Sequence, residues 1–116
     1  MGIPLLGYYL YVKGVRNMEI KISDQALNWF KNEVEVSEGS TVKFQAKYGG
    51  YSPIHEGFSL AFMVGEPLTE PITTTEKGGI TFFIDSTDQW YFDGYNLKVN
   101  YDEKNQEVAY EYEDIS

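Results

Sequence analysis

The sequence contains no cysteine, one histidine (His55) and one arginine (Arg16). Without cysteine the chain can form no disulfide, no thiolate metal site and no cysteine nucleophile. A single histidine leaves no second imidazole to share acid-base work, and the sequence carries neither a nucleophile motif nor a phosphate-cradling glycine loop before a helix. We therefore expect that the protein is not an enzyme.

Positive charge is also scarce: nine Lys and Arg face 18 Asp and Glu, which gives a net charge of -9. Such a chain repels nucleic-acid phosphates and anionic lipid headgroups, so neither a nucleic acid nor a membrane is the expected partner. Residues 1–12 lack the basic start, the long apolar run and the cleavage site of a signal peptide. The expected location is the cytoplasm.

Apolar and aromatic residues are abundant, at 42% and 16%, as in a packed domain. A chain of 116 residues has room for one such core, which we assign to residues 18–116. Residues 1–17 form an extra segment with irregular glycines. Two interpretations stay open: a mis-called start, with Met18 as the first residue, or an arm whose stretch Tyr8–Val12 pairs with an exposed strand edge.

Apolar periodicity predicts an α+β fold that is mainly β. Ser23 is a helix N-cap, and apolar residues on one face extend the predicted main helix over about residues 24–34. Seven or eight strands in small antiparallel or mixed sheets pack against it. Strict alternation in Thr41–Tyr48 predicts that Lys43 faces solvent. The aromatic run Trp90–Phe92 is predicted to plug the core.

Three segments in order resemble one known family. They are Met18–Ala26, Lys47–Ser52, and Glu76–Asp85 with the following Tyr91–Gly94 and Leu97–Tyr101. In this order they resemble the HesB/IscA-like family, the A-type iron-sulfur cluster scaffold and carrier proteins. The resemblance implies a HesB-like domain, a place in iron-sulfur cluster biosynthesis, and self-association as a homodimer.

The resemblance also locates the family's cluster ligands, which are one cysteine in the glycine loop and two in a C-terminal Cys-Gly-Cys motif. It puts Tyr51 at the first ligand position, and the C-terminal pair has no counterpart. Thiolates select iron-sulfur clusters, and a phenol does not replace them. We therefore expect a cysteine-free branch that binds no cluster and acts as a binding or accessory module, with protein partners in iron-sulfur or iron metabolism.

The glycine loop between two predicted strands is the candidate site, and two interpretations of it stay open. It is either a rigid recognition platform for a partner protein or a small ligand, or a plain tight connection with Tyr48 and Phe58 in the core. Its candidate residues are Tyr48, Gly50, Tyr51, Ser52, Pro53 and His55.

The alternative function is a mononuclear iron or zinc site, in an iron-donor protein. It would use the imidazole of His55, the carboxylate of Glu56 and further carboxylates.

Overall fold

The computed structural model describes residues 18–115 and confirms an α+β fold that is mainly β. The interpretations of residues 1–17 lie outside the described residues. Seven strands, two α-helices and one 3₁₀ turn follow one another along the described chain. They are β1 (Ile20–Ile22), α1 (Asp24–Asn32), β2 (Thr41–Tyr48), β3 (Phe58–Val64), β4 (Pro71–Lys77), β5 (Ile80–Asp85), the 3₁₀ turn (Ser86–Asp88), α2 (Gln89–Phe92), β6 (Tyr95–Asp102) and β7 (Glu107–Asp114).

The strands form two small mixed sheets, as predicted. The first has the order β1-β6-β7 and the second the order β3-β2-β5-β4. The pairs β1–β6 and β2–β5 are parallel, and the other pairs are antiparallel. The hairpin β4–β5 turns at Gly78 and Gly79, both at positive φ, which glycine adopts without strain.

Helix α1 begins as predicted but ends two residues earlier. Ser23 Oγ accepts a hydrogen bond from the Ala26 amide at 3.0 Å, which satisfies one of the exposed amides of the first turn. At the other end Glu33 is the C-cap, and Glu35 has a φ of 63°, which helical backbone does not adopt. The periodicity continued to Val34 because this residue packs on the core from outside the helix.

The core is one cluster to which α1 and both sheets contribute, and its aromatic part lies where α1 meets the four-stranded sheet. Phe30 of α1 is fully buried, and its ring centroid lies 5.1 Å from that of Phe62 and 5.3 Å from that of Phe82. Phe82 in turn stacks on Phe44, at 6.0 Å. Aromatic rings therefore fill the space between α1 and this sheet.

The prediction that Lys43 faces solvent is wrong. Its side chain is 10% exposed, and its Nζ lies 3.5 Å from Oδ2 of Asp85, whose side chain is fully buried. Strands β3 and β4 lie on opposite edges of the second sheet, so the connection 65–70 has to cross to the far edge. On the way the Leu68 amide donates to Asp85 Oδ2 at 3.3 Å. The connection therefore covers the face of the sheet on which Lys43 and Asp85 lie. Alternation within β2 does not reveal this cover, so it wrongly predicted an exposed lysine.

Buried tyrosines make the fold sensitive to alkali. Burial raises the pKa of Tyr110 above its usual value of 10.0, and Glu107 adds to the rise. The folded state thus binds the Tyr110 proton more tightly than the unfolded state does. The stability that this difference contributes is complete below pH 10 and is lost as the pH rises above it. We expect the free energy of unfolding to fall there by up to ~1.4 kcal/mol per pH unit. Urea unfolding of Tyr110→Phe, which keeps the ring, should show a smaller fall; an equal fall would contradict this cause.

Candidate functional site

The loop of residues 49–57 joins β2 to β3, and its glycines fix its shape. Gly49, Gly50 and Gly57 have φ values of 91°, 75° and 85°, which other residues rarely adopt. The Gly49 amide donates to the Gly57 carbonyl at 2.7 Å and closes the loop. A Cβ on Gly50 would lie 2.6 Å from Ser59 Oγ. Gly50 is therefore required both by its φ and by the close approach of β3.

A chain of hydroxyl groups ties the loop to the rest of the fold. The buried Ser52 Oγ accepts from Tyr91 Oη at 2.7 Å and from the Ile54 amide at 3.2 Å. The hydroxyls of Tyr91 and Tyr112 lie 3.0 Å apart, which links α2 to β7. Burial, and then the bond with Tyr91, raises the pKa of Tyr112, so this phenol keeps its proton to higher pH than an exposed tyrosine does. The loop is thus anchored at its centre.

His55 lies among aromatic rings. Its ring stacks on Tyr91 at 5.6 Å and meets Trp90 edge to face at 4.9 Å and Phe58 at 5.7 Å. The predicted co-ligand Glu56 is exposed. Within residues 18–115 no group of three or more histidine, aspartate or glutamate side chains converges to hold a metal ion. The iron or zinc site on His55 and Glu56 stays a prediction. The ring contacts with Tyr91, Trp90 and Phe58 show that the imidazole packs against aromatic side chains.

The surface above the loop is aromatic and exposed. We name Tyr48, His55, Phe58 and Trp90 the aromatic platform: Phe58 contacts both Tyr48, at 5.7 Å, and Trp90, at 5.1 Å. Tyr48 is 87% exposed, so the interpretation that buries it in the core is wrong, while Phe58 is half-buried against the core. Tyr51 is also exposed, at 81%.

The predicted core plug divides in two. Tyr91 and Phe92 are each 1% exposed, as predicted, whereas Trp90 is 46% exposed and belongs to the surface. Sequence reasoning missed Trp90, Tyr91 and Tyr112 as partners of the loop. The aromatic run Trp90–Phe92 was the available signal, because consecutive residues of a short helix cannot all face one core.

The comparison with known families decides what kind of domain carries this loop. Residues 18–109 match the family described as iron-sulphur cluster biosynthesis. The chain belongs to this family. The match covers most of the described residues and confirms the predicted HesB/IscA-like relationship. In the part of the chain that the structure describes, no helix is long and apolar enough to cross a membrane.

Several relatives within the family match almost along their full length. A Bacillus subtilis (strain 168) protein named "Pyruvate dehydrogenase inhibitor" is 43% identical over 96 residues, which cover 83% of this chain and 100% of the relative. A Staphylococcus saprophyticus protein is 36% identical over 95 residues, 80% of this chain and 97% of its own. A Staphylococcus aureus (strain MRSA252) protein is 35% identical over 96 residues, with the same two shares. Both staphylococcal proteins carry the description uncharacterized.

The donor groups at the position that the resemblance predicts for the family's first cluster ligand do not fit an iron-sulfur cluster. Tyr51 presents an exposed phenol there, and its neighbour Ser52 uses its hydroxyl inside the fold. The sequence has no cysteine to supply a thiolate, and clusters are held chiefly by thiolates. This site therefore gives no support to a function that depends on carrying a cluster.

Proposed function

We propose that this member of the iron-sulphur cluster biosynthesis family is a non-enzymatic protein-binding module that inhibits pyruvate dehydrogenase. The observation that carries the proposal is the aromatic platform, which is exposed at Tyr48 and Trp90 and lies beside the glycine loop. Tyr51 of this loop stands at the position predicted for the first cluster ligand. The target is suggested by the name of the Bacillus subtilis relative, which is 43% identical along its whole length.

The platform has the properties of a binding surface. Tyr and Trp are enriched among the residues that dominate binding energy, because they supply large contact areas with few rotatable bonds. The platform residues Tyr48, Phe58 and Trp90 lie on strands and a helix, and His55 lies in the loop that is closed by the Gly49–Gly57 bond and anchored through Ser52. Little further ordering is needed on binding, which preserves affinity.

Electrostatics favour a basic surface on the target. The net charge of -9 attracts positive patches and accelerates encounter with them. Such a partner fits the predicted binding or accessory role without any metal. Three earlier expectations stay predictions: protein partners in iron-sulfur or iron metabolism, a homodimer and a cytoplasmic location.

An enzyme assay tests the proposal. The purified chain, in molar excess over the Bacillus subtilis pyruvate dehydrogenase complex, should suppress NADH formation from pyruvate. Trp90→Ala should weaken inhibition by about 30-fold, the loss typical of an interface hot spot of about 2 kcal/mol.

A matched control removes an aromatic ring elsewhere. Tyr101 lies near the end of β6 and lines a groove together with residues of α1, away from the aromatic platform. Tyr101→Ala should therefore inhibit like the unsubstituted chain. Thermal unfolding checks that both variants are folded. Inhibition that is absent in the unsubstituted chain, or that both variants lose equally, would contradict the proposal.

A further inference from the structure

The two sheets end in edge strands, and most of these edges are protected against pairing with another chain. β4 begins at Pro71, has an irregular register between Pro71 and Thr73, and carries Glu76 and Lys77. β7 carries four acidic residues among its eight. β1 has three residues, and Lys77 donates a hydrogen bond to the carbonyl of its Ile22. Charges, prolines and irregular register are the usual devices that block strand addition.

β3 has none of these devices. Its seven residues, Phe-Ser-Leu-Ala-Phe-Met-Val, include no charge and no proline, and they pair with β2 in unbroken register from Tyr48↔Phe58 to Val42↔Val64. Its other side has no neighbouring strand among residues 18–115. Met63 and Val64 are 45% and 53% exposed there.

The backbone of β3 presents its hydrogen-bonding groups outward at alternate residues. The Gly65 amide donates to the Thr41 carbonyl at 3.1 Å, and the Gly49 amide to the Gly57 carbonyl at 2.7 Å. Antiparallel pairs alternate between bonded and non-bonded positions, so these two bonds assign the odd-numbered residues of β3 to the bonded pairs. The amides and carbonyls of Leu60, Phe62 and Val64 therefore point away from β2, towards the open edge.

The charges around this edge select the occupant. Glu56 lies just before β3 and Glu66 just after it, and both are exposed. A second copy paired antiparallel about Ala61 would place Glu56 opposite the partner's Glu66, and like charges directly opposite destabilise a strand pair. A foreign strand with a basic residue at each end would instead meet an acidic residue at each end.

We propose that β3 is a docking edge for an extended strand of a partner protein, uncharged at its centre and flanked by Lys or Arg. The added strand would take its backbone hydrogen bonds from Leu60, Phe62 and Val64, as in other strand-addition complexes. Phe58, the first residue of β3, belongs to the aromatic platform, so edge and platform form one continuous surface. Naming pyruvate dehydrogenase as the partner rests on the proposed function; the docking edge does not.

A proline substitution tests the edge without disturbing the β2–β3 ladder. Val64→Pro removes an outward amide that β2 does not use, and proline is tolerated on an edge strand in that orientation. Val64→Thr keeps the amide and the branched shape, and it is the matched control. The probe is a fluorescein-labelled peptide of alternating Thr and Val, as long as β3, with a lysine at each end.

We expect the lysine-flanked peptide to bind the full chain saturably, and Val64→Pro to weaken binding by about 10-fold or more while Val64→Thr does not. A peptide with glutamate at each end should bind the unsubstituted chain no more tightly than the lysine-flanked peptide binds Val64→Pro. No binding of the lysine-flanked peptide, or equal binding by the proline variant, would overturn the proposal. If the chain forms a dimer that Val64→Pro abolishes, the edge binds a second copy. If the peptide binds only when residues 1–17 are deleted, the edge binds that segment. Either result overturns the proposal as well.

The pyruvate dehydrogenase assay separates this inference from the proposed function. If the unsubstituted chain inhibits the complex but the lysine-flanked peptide does not bind, or binds Val64→Pro equally well, the proposed function stands and the docking edge is wrong. If the peptide binds at β3 but the complex is not inhibited, the edge stands and the proposed target is wrong.

Discussion

Replacing Lys43 by methionine is expected to lower the free energy of unfolding by ~3–5 kcal/mol. Lys43 is the cation that accompanies the fully buried side chain of Asp85, at 3.5 Å. One oxygen of this carboxylate, Oδ1, is buried without a hydrogen-bond partner among the described residues. Methionine fills a similar volume but leaves the carboxylate charge in the interior without its counter-ion, and a buried, uncompensated charge is strongly destabilising.

The double variant Lys43→Met/Asp85→Asn is the control for this effect. Asparagine removes the charge and keeps an oxygen for the Leu68 amide, so the double variant should recover at least half of the lost stability. Urea unfolding of the single and double variants at neutral pH measures the difference. A single variant that loses less than about 1 kcal/mol would show that the pair is open to water, as surface pairs are.

Replacing Phe30 by alanine is the second large effect, with an expected loss of ~3–5 kcal/mol. Phe30 is fully buried, and its ring touches aromatic rings from α1 and from three strands of the second sheet. Its partners are Trp29, Phe44, Phe62 and Phe82. Truncation opens a cavity between helix and sheet that rigid rings on several sides cannot fill.

The matched variant Phe30→Leu retains much of the volume and should lose clearly less. Denaturant titration of both variants gives the comparison, and the slope of the transition checks that the folded state has stayed compact. If alanine and leucine lose the same amount, the ring contacts themselves, rather than the cavity, determine the cost.

The fold was predictable where its signals are local. Alternation identified β2, and Ser23 was correctly predicted as the cap of α1. Each of these signals depends on neighbouring residues and on backbone sterics. The family resemblance supplied the HesB-like fold as a whole, which local signals do not contain.

The candidate site was predictable only in its loop. Gly50 and Ser52 could be singled out from the sequence, but the partner of Ser52 is Tyr91, 39 residues later in the chain. Contacts of that sequence separation leave no periodic trace. The wrong exposure predicted for Lys43 has the same origin, since its ion-pair partner Asp85 is 42 residues away.

This chain belongs to a cluster-biosynthesis family, yet its candidate site offers no thiolate for a cluster. Tyr51 stands at the position predicted for the first cluster ligand, and the exposed features include the aromatic platform and the open β3 edge. Together these features support the proposed role, in which the protein acts by contact with another protein. The inhibition proposed for it should then require no metal.

The most direct test is inhibition of the pyruvate dehydrogenase complex by chain freed of metal with chelator, compared with chain taken through anaerobic iron-sulfur reconstitution. We predict equal inhibition by the two preparations and no cluster absorbance in the visible spectrum of the second. A visible cluster band together with inhibition by the reconstituted preparation alone would contradict a mechanism that acts by protein contact without a cluster.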